Sequence, residues 1–427
     1  MFKKINISTF LLVFALEFSF AQLNYSPKEL FDEGIYFFNR KEYKEAVYFF
    51  KQLLVDNTSN AHYNFLVGEC YLNIENQEHL AVPYLEKAIK NTTSKKKYNG
   101  SKYTEVRAPW HAYFYLGQAY RFAGEVDKAL AMYNTFYEAP DFYLNYNEGV
   151  VLQEIKACER SITIKNNAFP FEREKFPDSI NTSNKEYMPV VSEDGNHMIF
   201  IRTLKFYDAI FYTAKNTSGE WATPINITPQ VGSDGDMLPT ALNNNGTKLL
   251  LAKQFKNNYD IYISQLKDTA WSKASKLKGK VNSQANEVHA CFGNNDNHLF
   301  LVSNNSLFKG SYDIFEVYKK NGVWDKPVKL ESLCSEFDEH SLSYNKENKR
   351  LVFSSKGHLS MGGYDIFYSD FKDEKWSNPV NIGYPLNTTR DDIFFQILTN
   401  DISGVYATPE NIGYEEPDIW FIRITHE

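Results

Sequence analysis

Cysteine is scarce, with four residues in a chain of 427. Two disulfides would be the default in an exported chain, but the placement excludes them. Cys291 falls on a predicted innermost strand and Cys334 near the outermost strand of the same repeat. That separates them by roughly 14 Å at ~4.8 Å per strand step, beyond the ~7 Å Cα limit for a disulfide. Cys70 and Cys158 fall on different helices with another helix pair between them, so all four read as buried thiols. An excess of positive charge is also missing: 46 Lys and Arg face 53 Asp and Glu, a formal charge of −7. Nucleic acid is therefore not an expected partner, because phosphate neutralisation needs clustered Lys and Arg. No segment beyond the first 21 residues approaches the ~18 uncharged apolar residues of a membrane helix. His289, His340 and His358 are scattered without ligand spacing, and neither a G-x-S-x-G elbow nor a phosphate-binding glycine loop occurs. No cofactor, metal or catalytic residue is expected.

The amino terminus carries Lys3 and Lys4, a short apolar run from Phe10 to Leu16, and Ser19-Phe20-Ala21 before Gln22. This reads as a secretory signal peptide over residues 1–21. No cysteine follows the cleavage site, so lipid anchoring is not expected. Without Lys3, Lys4 and Glu17 the balance is 44 basic to 52 acidic residues, or −8. About 406 residues remain, enough for two domains. The 29 Tyr and 33 Phe are most simply the packing between repeated units.

Two periods divide that chain. Between residues 24 and 160 the pattern is helical. Gly34 and Gly68 lie 34 residues apart, and each precedes an aromatic by three, Phe37 and Tyr71. Ala46 and Phe50 follow in the first unit, and Ala81, Leu85 and Ala88 in the second. A third unit runs Trp110, Leu116-Gly117, Tyr120, Gly124, Ala129 and Tyr133. This resembles the tetratricopeptide repeat, whose small residues let paired helices approach and whose large ones fill the gap between pairs. The first unit has Thr58 where that repeat usually has proline. Fifteen residues are inserted near Asn91 to Arg107, bringing Lys95, Lys96, Lys97, Lys102 and Arg107 together. That loop is either a contact for an acidic partner or glycan or, as favoured, a solvated connection. A helix over about Asn147 to Arg160 fits the polar cap such arrays need.

The second period is about 52 residues. It reads Tyr207-Asp208-Ala209, Tyr259-Asp260-Ile261, Tyr312-Asp313-Ile314, Tyr364-Asp365-Ile366 and Pro417-Asp418-Ile419. In register with it, an acidic residue opens each unit: Glu186, Asp236, Glu287, Glu339 and Asp392. Polar hairpin turns follow, such as Glu193-Asp194-Gly195, Asn244-Asn245-Gly246 and Lys346-Glu347-Asn348. Trp221, Trp271, Trp324 and Trp376 lead into a fourth strand. Four antiparallel strands per unit predict propeller blades. The motifs are similar to the TolB-type, WD-like propeller repeat, most closely at Met361-Gly362-Gly363-Tyr364-Asp365-Ile366. The expected architecture is a multidomain α plus all-β chain: residues 22–160 a tetratricopeptide helical array with its cap, 161–185 a linker and ring-closing strand, and 186–427 a five-bladed β-propeller. Ile180-Asn181-Thr182-Ser183 resembles Leu386-Asn387-Thr388-Thr389, so residues near 174–183 are expected to close the ring and remove open sheet edges.

The repeated aspartates, Asp208, Asp260, Asp313, Asp365 and Asp418, read as blade architecture, since Asp supplies acceptors where a loop enters a strand. Glu186, Asp236, Glu287, Glu339 and Asp392 would ring one mouth of the channel. Loop capping is the favoured role, ahead of a cation site and then of glycoside hydrolysis, because acid–base catalysis needs two carboxyls in unlike environments. The order of segments resembles the amino-terminal part of envelope proteins that continue into an OmpA-like peptidoglycan-binding domain, some linked to type IX secretion. This sequence ends with the last blade, without that domain. The resemblance implies a non-enzymatic scaffold in the periplasm or at the outer membrane that holds envelope proteins. The alternative is an exported protein that binds or hydrolyses glycan, peptidoglycan included, at the acidic mouth.

Overall fold

The computed structural model describes residues 25–74, 77–139, 142–256, 258–305, 311–398, 403–408 and 417–424. The expected signal peptide lies outside these residues. The chain divides into two compact units, one running to Leu116 and the other from Gly117. No helix among the described residues is long and apolar enough to cross a membrane.

The first unit contains helices α1 (Pro27–Asn39), α2 (Tyr43–Asp56), α3 (Ala61–Leu72) and α4 (Val82–Ala88), and the start of α5 (Ala112–Phe122). Ser26 opens α1 with a capping box: its hydroxyl accepts from the Glu29 N–H, and the Glu29 carboxylate accepts from the Ser26 N–H. The 34-residue glycine spacing has a direct physical cause. A Cβ at Gly68 would lie 2.5 Å from Leu85, and one at Gly34 would overlap the Phe50 ring. Each pair of helices therefore packs closer than any larger residue allows.

The second unit begins with the end of α5 and continues through α6 (Val126–Tyr137) and α7 (Glu148–Asn166). A Cβ at Gly117 would stand 2.6 Å from the Tyr133 ring, the same device a third time. These helices go with the propeller rather than with the preceding array, so the division falls ahead of the expected 160/161 boundary. The cause is a set of bonds across 268 residues of sequence. Buried Arg121 donates through Nη1 to the Thr389 carbonyl, Thr389 Oγ1 donates to the Arg121 carbonyl at 2.6 Å, and Arg390 Nε donates to the Phe122 carbonyl at 3.1 Å. Further along α7, Arg160 Nε donates to the Ser360 carbonyl at 2.9 Å.

The propeller has five antiparallel blades. Blades 1 to 4 start with Glu186–Val191, Met237–Leu242, Glu287–Phe292 and Glu339–Asn345, and each pairs in sequence order with its second, third and outer strands. Blade 5 is built from Gln396–Ile397, Gly404–Thr408 and Asp418–Ile424. Its outer strand is Phe171–Lys175, paired antiparallel with Asp418–Ile424. The closing strand thus precedes all five blades, as expected, and lies slightly upstream of residues 174–183. Asn181 completes the closure. Its carboxamide accepts from the Ile419 N–H and donates to the Ile419 carbonyl, as Asn387 does for Ile366 and Asn282 for Ile261. Tryptophans fill the seams between blades. Trp271 of blade 2 meets Tyr212 of blade 1 edge-on at 5.5 Å, and Trp376 of blade 4 meets Phe300 of blade 3 at 5.7 Å.

Candidate functional site

Because strands alternate in direction, the first-to-second hairpins open on one propeller face and the second-to-third hairpins on the other. The acidic ring starts each first strand on the second of these faces. There the carboxylates turn into their own blades rather than out to an open mouth. Glu186, Glu287, Glu339 and Asp392 are buried, and each accepts from the N–H and hydroxyl of a Ser or Thr four residues earlier: Thr182, Ser283, Ser335 and Thr388. Second-strand groups take further lone pairs. Arg202 reaches Glu186 at 2.6 Å, Ser303 reaches Glu287 at 3.0 Å, Ser355 reaches Glu339 at 2.9 Å, and the Tyr406 hydroxyl reaches Asp392 at 3.0 Å. Asp236, half-buried, pairs with Lys253 at 3.0 Å and accepts from Ser233. The carboxylates are tied inside their blades, which serves loop entry and leaves no free ring for a ligand.

The Tyr-Asp-Ile aspartates are equally committed. Asp260 meets Lys276 at 2.7 Å, Asp313 meets Lys329 at 3.0 Å, and Asp418 meets Lys175 of the closing strand at 2.5 Å. Asp365 accepts from Asn381 Nδ2 at 2.7 Å and the Met361 N–H at 2.8 Å, and Asp208 from Thr203 Oγ1 at 2.7 Å. Asp313, Cys334 and Glu339 offer ligand atoms all within 4.8 Å of one another. The Lys329 ammonium already stands beside Asp313. Cys334 Sγ occupies the clasp position of the asparagines, accepting from the Ile314 N–H at 3.3 Å. This grouping is the same blade seam with a thiol substituted for a carboxamide. Cys70, Cys158 and Cys291 are buried and Cys334 is half-buried, and all four are free thiols.

The inserted loop is tied down rather than open. Glu105 accepts from the Asn99, Val106 and Arg107 N–H groups and from the Arg107 guanidinium at 3.0 Å, which holds its carboxyl down to about 2. Arg107 is therefore occupied within the loop, whereas Lys95, Lys96, Lys97 and Lys102 have exposed side chains. Tyr98 anchors the loop through a 2.8 Å hydrogen bond between its hydroxyl and His62 Nδ1. Tyr98→Phe is expected to lower the unfolding free energy by about 1 kcal/mol, the net value of one such bond. Thermal unfolding followed by circular dichroism would measure it, and no change in midpoint would show the bond to be idle.

The opposite face holds a cavity of about 630 Å³, lined by the first-to-second hairpins of blades 1 to 4 and by Gln396 and Ile397 of blade 5. His289 of blade 3 stacks on Phe394, at the entry to blade 5, with centroids 6.0 Å apart, and His340 meets the same ring at 5.4 Å. Contact between non-adjacent blades crosses the channel. Burial keeps both imidazoles neutral, at about 3 for His289 and about 4 for His340, and the Leu342 N–H donates to His289 Nδ1. The carboxyls raised by burial, Glu69, Glu339 and Asp392 at about 7 together with Glu287 and Asp365, are not among the lining residues. Both lining carboxylates are paired, Asp296 with Lys248 at 2.6 Å and Glu193 with Lys346 at 3.4 Å. The lining thus offers carboxamide, hydroxyl and apolar groups, with its charges paired in place. Those hairpins were legible in the sequence as turns; their convergence on one cavity was not.

Helical repeats followed by a five-bladed propeller define the class. Residues 111–141 match the tetratricopeptide repeat family. Among solved structures, TolB from Acinetobacter baumannii is similar over 56% of this chain, with 14% identity and a TM-score of 0.37; the match spans about half of that protein, 54%. An alpha-L-arabinofuranosidase from Podospora anserina is similar over 61% of this chain and 98% of its own, at 10% identity and a TM-score of 0.39. The first tetratricopeptide domain of human RPAP3 is similar over 33% of this chain and 94% of its own, at 16% identity and a TM-score of 0.25. No curated protein sequence matches.

Proposed function

We propose that this protein is a non-enzymatic interaction scaffold of the cell envelope, holding protein partners through its helical repeats and one propeller face. The observation that carries the reading is a set of apolar side chains at the tips of the second-to-third hairpins. Phe206 is 86% exposed, and Phe255 and Leu359 are each 64% exposed. A lysine accompanies each phenylalanine, with Lys205 Nζ 5.3 Å from the Phe206 ring and Lys256 Nζ 5.6 Å from Phe255. Large aromatic side chains are costly to hold in water, and at hairpin tips they contribute nothing to the blade core. Aromatic anchors with a cationic neighbour suit a protein surface carrying apolar and acidic groups. The tetratricopeptide repeats favour peptide or helix partners, since such arrays bind rather than catalyse. Export, an outer-membrane location and a link to type IX secretion rest on the amino-terminal sequence and on the resemblance to OmpA-containing envelope proteins.

The reading is tested by photo-crosslinking in intact cells, with the probe placed at Phe206 or Phe255 or, as a control, at Asn378 on the opposite face. Crosslinks to a defined envelope protein from the first two positions only are expected, together with at least a tenfold loss of co-purification in Phe206→Ala/Phe255→Ala, a typical outcome when two anchors are removed. Undiminished co-purification by the double variant would sink this face as the docking surface. Turnover of a polysaccharide without any protein partner would sink the scaffold itself.

A further inference from the structure

We propose that the cavity on the first-to-second hairpin face binds an uncharged saccharide. The inference is independent of the partner-binding face, which is on the other side of the propeller. A volume of about 630 Å³ accommodates two to three sugar rings and falls within the range of about 300–1,000 Å³ usual for ligand sites. The lining chemistry narrows the ligand. Eight of its twenty-two residues are carboxamides, seven asparagines and Gln396. Its charges cancel in place, with Lys248 on Asp296 and Lys346 on Glu193, so neither an anion nor a cation meets an uncompensated partner.

Two of the carboxamides are built into the wall with capacity to spare. Gln396 is 6% exposed, and its side chain hydrogen-bonds to no described residue. Asn345 is also buried; its Oδ1 accepts from the Glu347 and Asn348 N–H groups, while its Nδ2 donates to no described residue. Neither group is among the buried polar atoms sealed off without a partner, so their spare hydrogen-bonding capacity is directed to the cavity they line. A hydroxyl-bearing ligand supplies the missing donor and acceptor at once. Carboxamides offer both roles side by side, the arrangement that vicinal hydroxyls take up.

Phe292 and Tyr344 add half-buried rings to the lining, apolar area for the C–H faces of a pyranose. The Tyr344 hydroxyl is held by Asn294 Oδ1 at 2.8 Å, which fixes that ring across the seam between blades 3 and 4. A peptide is the less suitable occupant. An extended backbone needs a groove along one direction, whereas here polar groups converge from five blades around one cavity.

The test is isothermal titration of the full exported chain with a panel of neutral trisaccharides differing in monosaccharide and linkage, alongside trigalacturonate and triglycine. At least one neutral sugar is expected to bind, trigalacturonate and triglycine not. Gln396→Met keeps the size of the side chain and removes its amide, and is expected to weaken that sugar about tenfold, the loss of one well-placed polar contact. Should Gln396→Met fail to fold, Asn244→Ala, on an exposed turn lining the same cavity, provides the equivalent loss. Absence of binding by every neutral sugar would overturn the inference. So would binding that neither variant weakens, or triglycine binding with the same sensitivity to them.

Discussion

Arg121→Ala is expected to lower the unfolding free energy of the propeller-containing unit by about 3–5 kcal/mol, the usual cost of removing one partner from a buried ion pair. Arg121 is 5% exposed and meets Glu154 of α7 at 3.2 Å. Its Nη1 also satisfies the carbonyl of Thr389, and its guanidinium lies over the Phe122 ring at 4.7 Å. Alanine would strand Glu154, orphan that carbonyl and open a void beside Gly362, where a Cβ would stand only 2.5 Å from Arg121 Nη1. Arg121→Lys keeps the charge but not the fork, and should recover less than half of the loss. Urea unfolding followed by tryptophan fluorescence gives the comparison, since four tryptophans sit in blades 1 to 4. A loss under about 1 kcal/mol for alanine would show that the clamp between helices and propeller is dispensable, because surface pairs contribute no more than that.

That clamp also marks what sequence could not reveal. The glycine and Tyr-Asp-Ile periods are local patterns repeated at fixed spacing, and each has a local cause: Gly68 must clear Leu85, and Asp260 and Asp313 must reach a lysine on their own outer strand. Ring closure was legible for the same reason, because Asn181 repeats the sequence neighbourhood of Asn387 and performs the same clasp on Ile419. Arg121 carries no such mark; its partner Thr389 lies 268 residues away in an otherwise ordinary turn. For the acidic positions the favoured loop-capping role was legible, but its particular partner was not: whether a carboxylate faces the channel or its own blade depends on the Ser or Thr four residues before Glu186, Glu287, Glu339 and Asp392, and that pairing was not read. The cavity was hidden because Asn244, Asn294 and Asn345 each serve a separate hairpin and meet only when the ring closes.

Between pH 6.5 and 8.5 the unfolding free energy of the propeller is expected to fall by on the order of 2–3 kcal/mol as burial-raised carboxyls lose their protons, by linkage. Lys276, Lys329 and Lys175 each neutralise a strand-three aspartate, but at the corresponding position of blade 4 stands Asn381. Burial, reinforced by the charge of Asp392, therefore pushes Asp365 well above the ordinary carboxyl range, and burial holds Asp392 at about 7. Glu339 is likewise raised to about 7 by burial, with Asp313 adding to it. A carboxyl whose folded value exceeds its unfolded one holds its proton more tightly in the folded chain. Its stabilising contribution is complete below about pH 4 and disappears as pH rises through about 7. His289 and His340 act in the opposite sense, being depressed to about 3 and about 4, but their contribution changes only below about pH 6.5. The carboxyls thus govern the upper window alone. Asn381→Lys supplies the cation that the seams of blades 2, 3 and 5 possess, and Asp392→Asn removes one of the titrating carboxyls and a charge beside Asp365; each should reduce the slope, with the contribution of Glu339 remaining. Denaturant melts at half-unit pH steps would show the slope; a flat wild-type profile from pH 6.5 to 8.5 would mean that these carboxyls are ionised in the folded protein throughout.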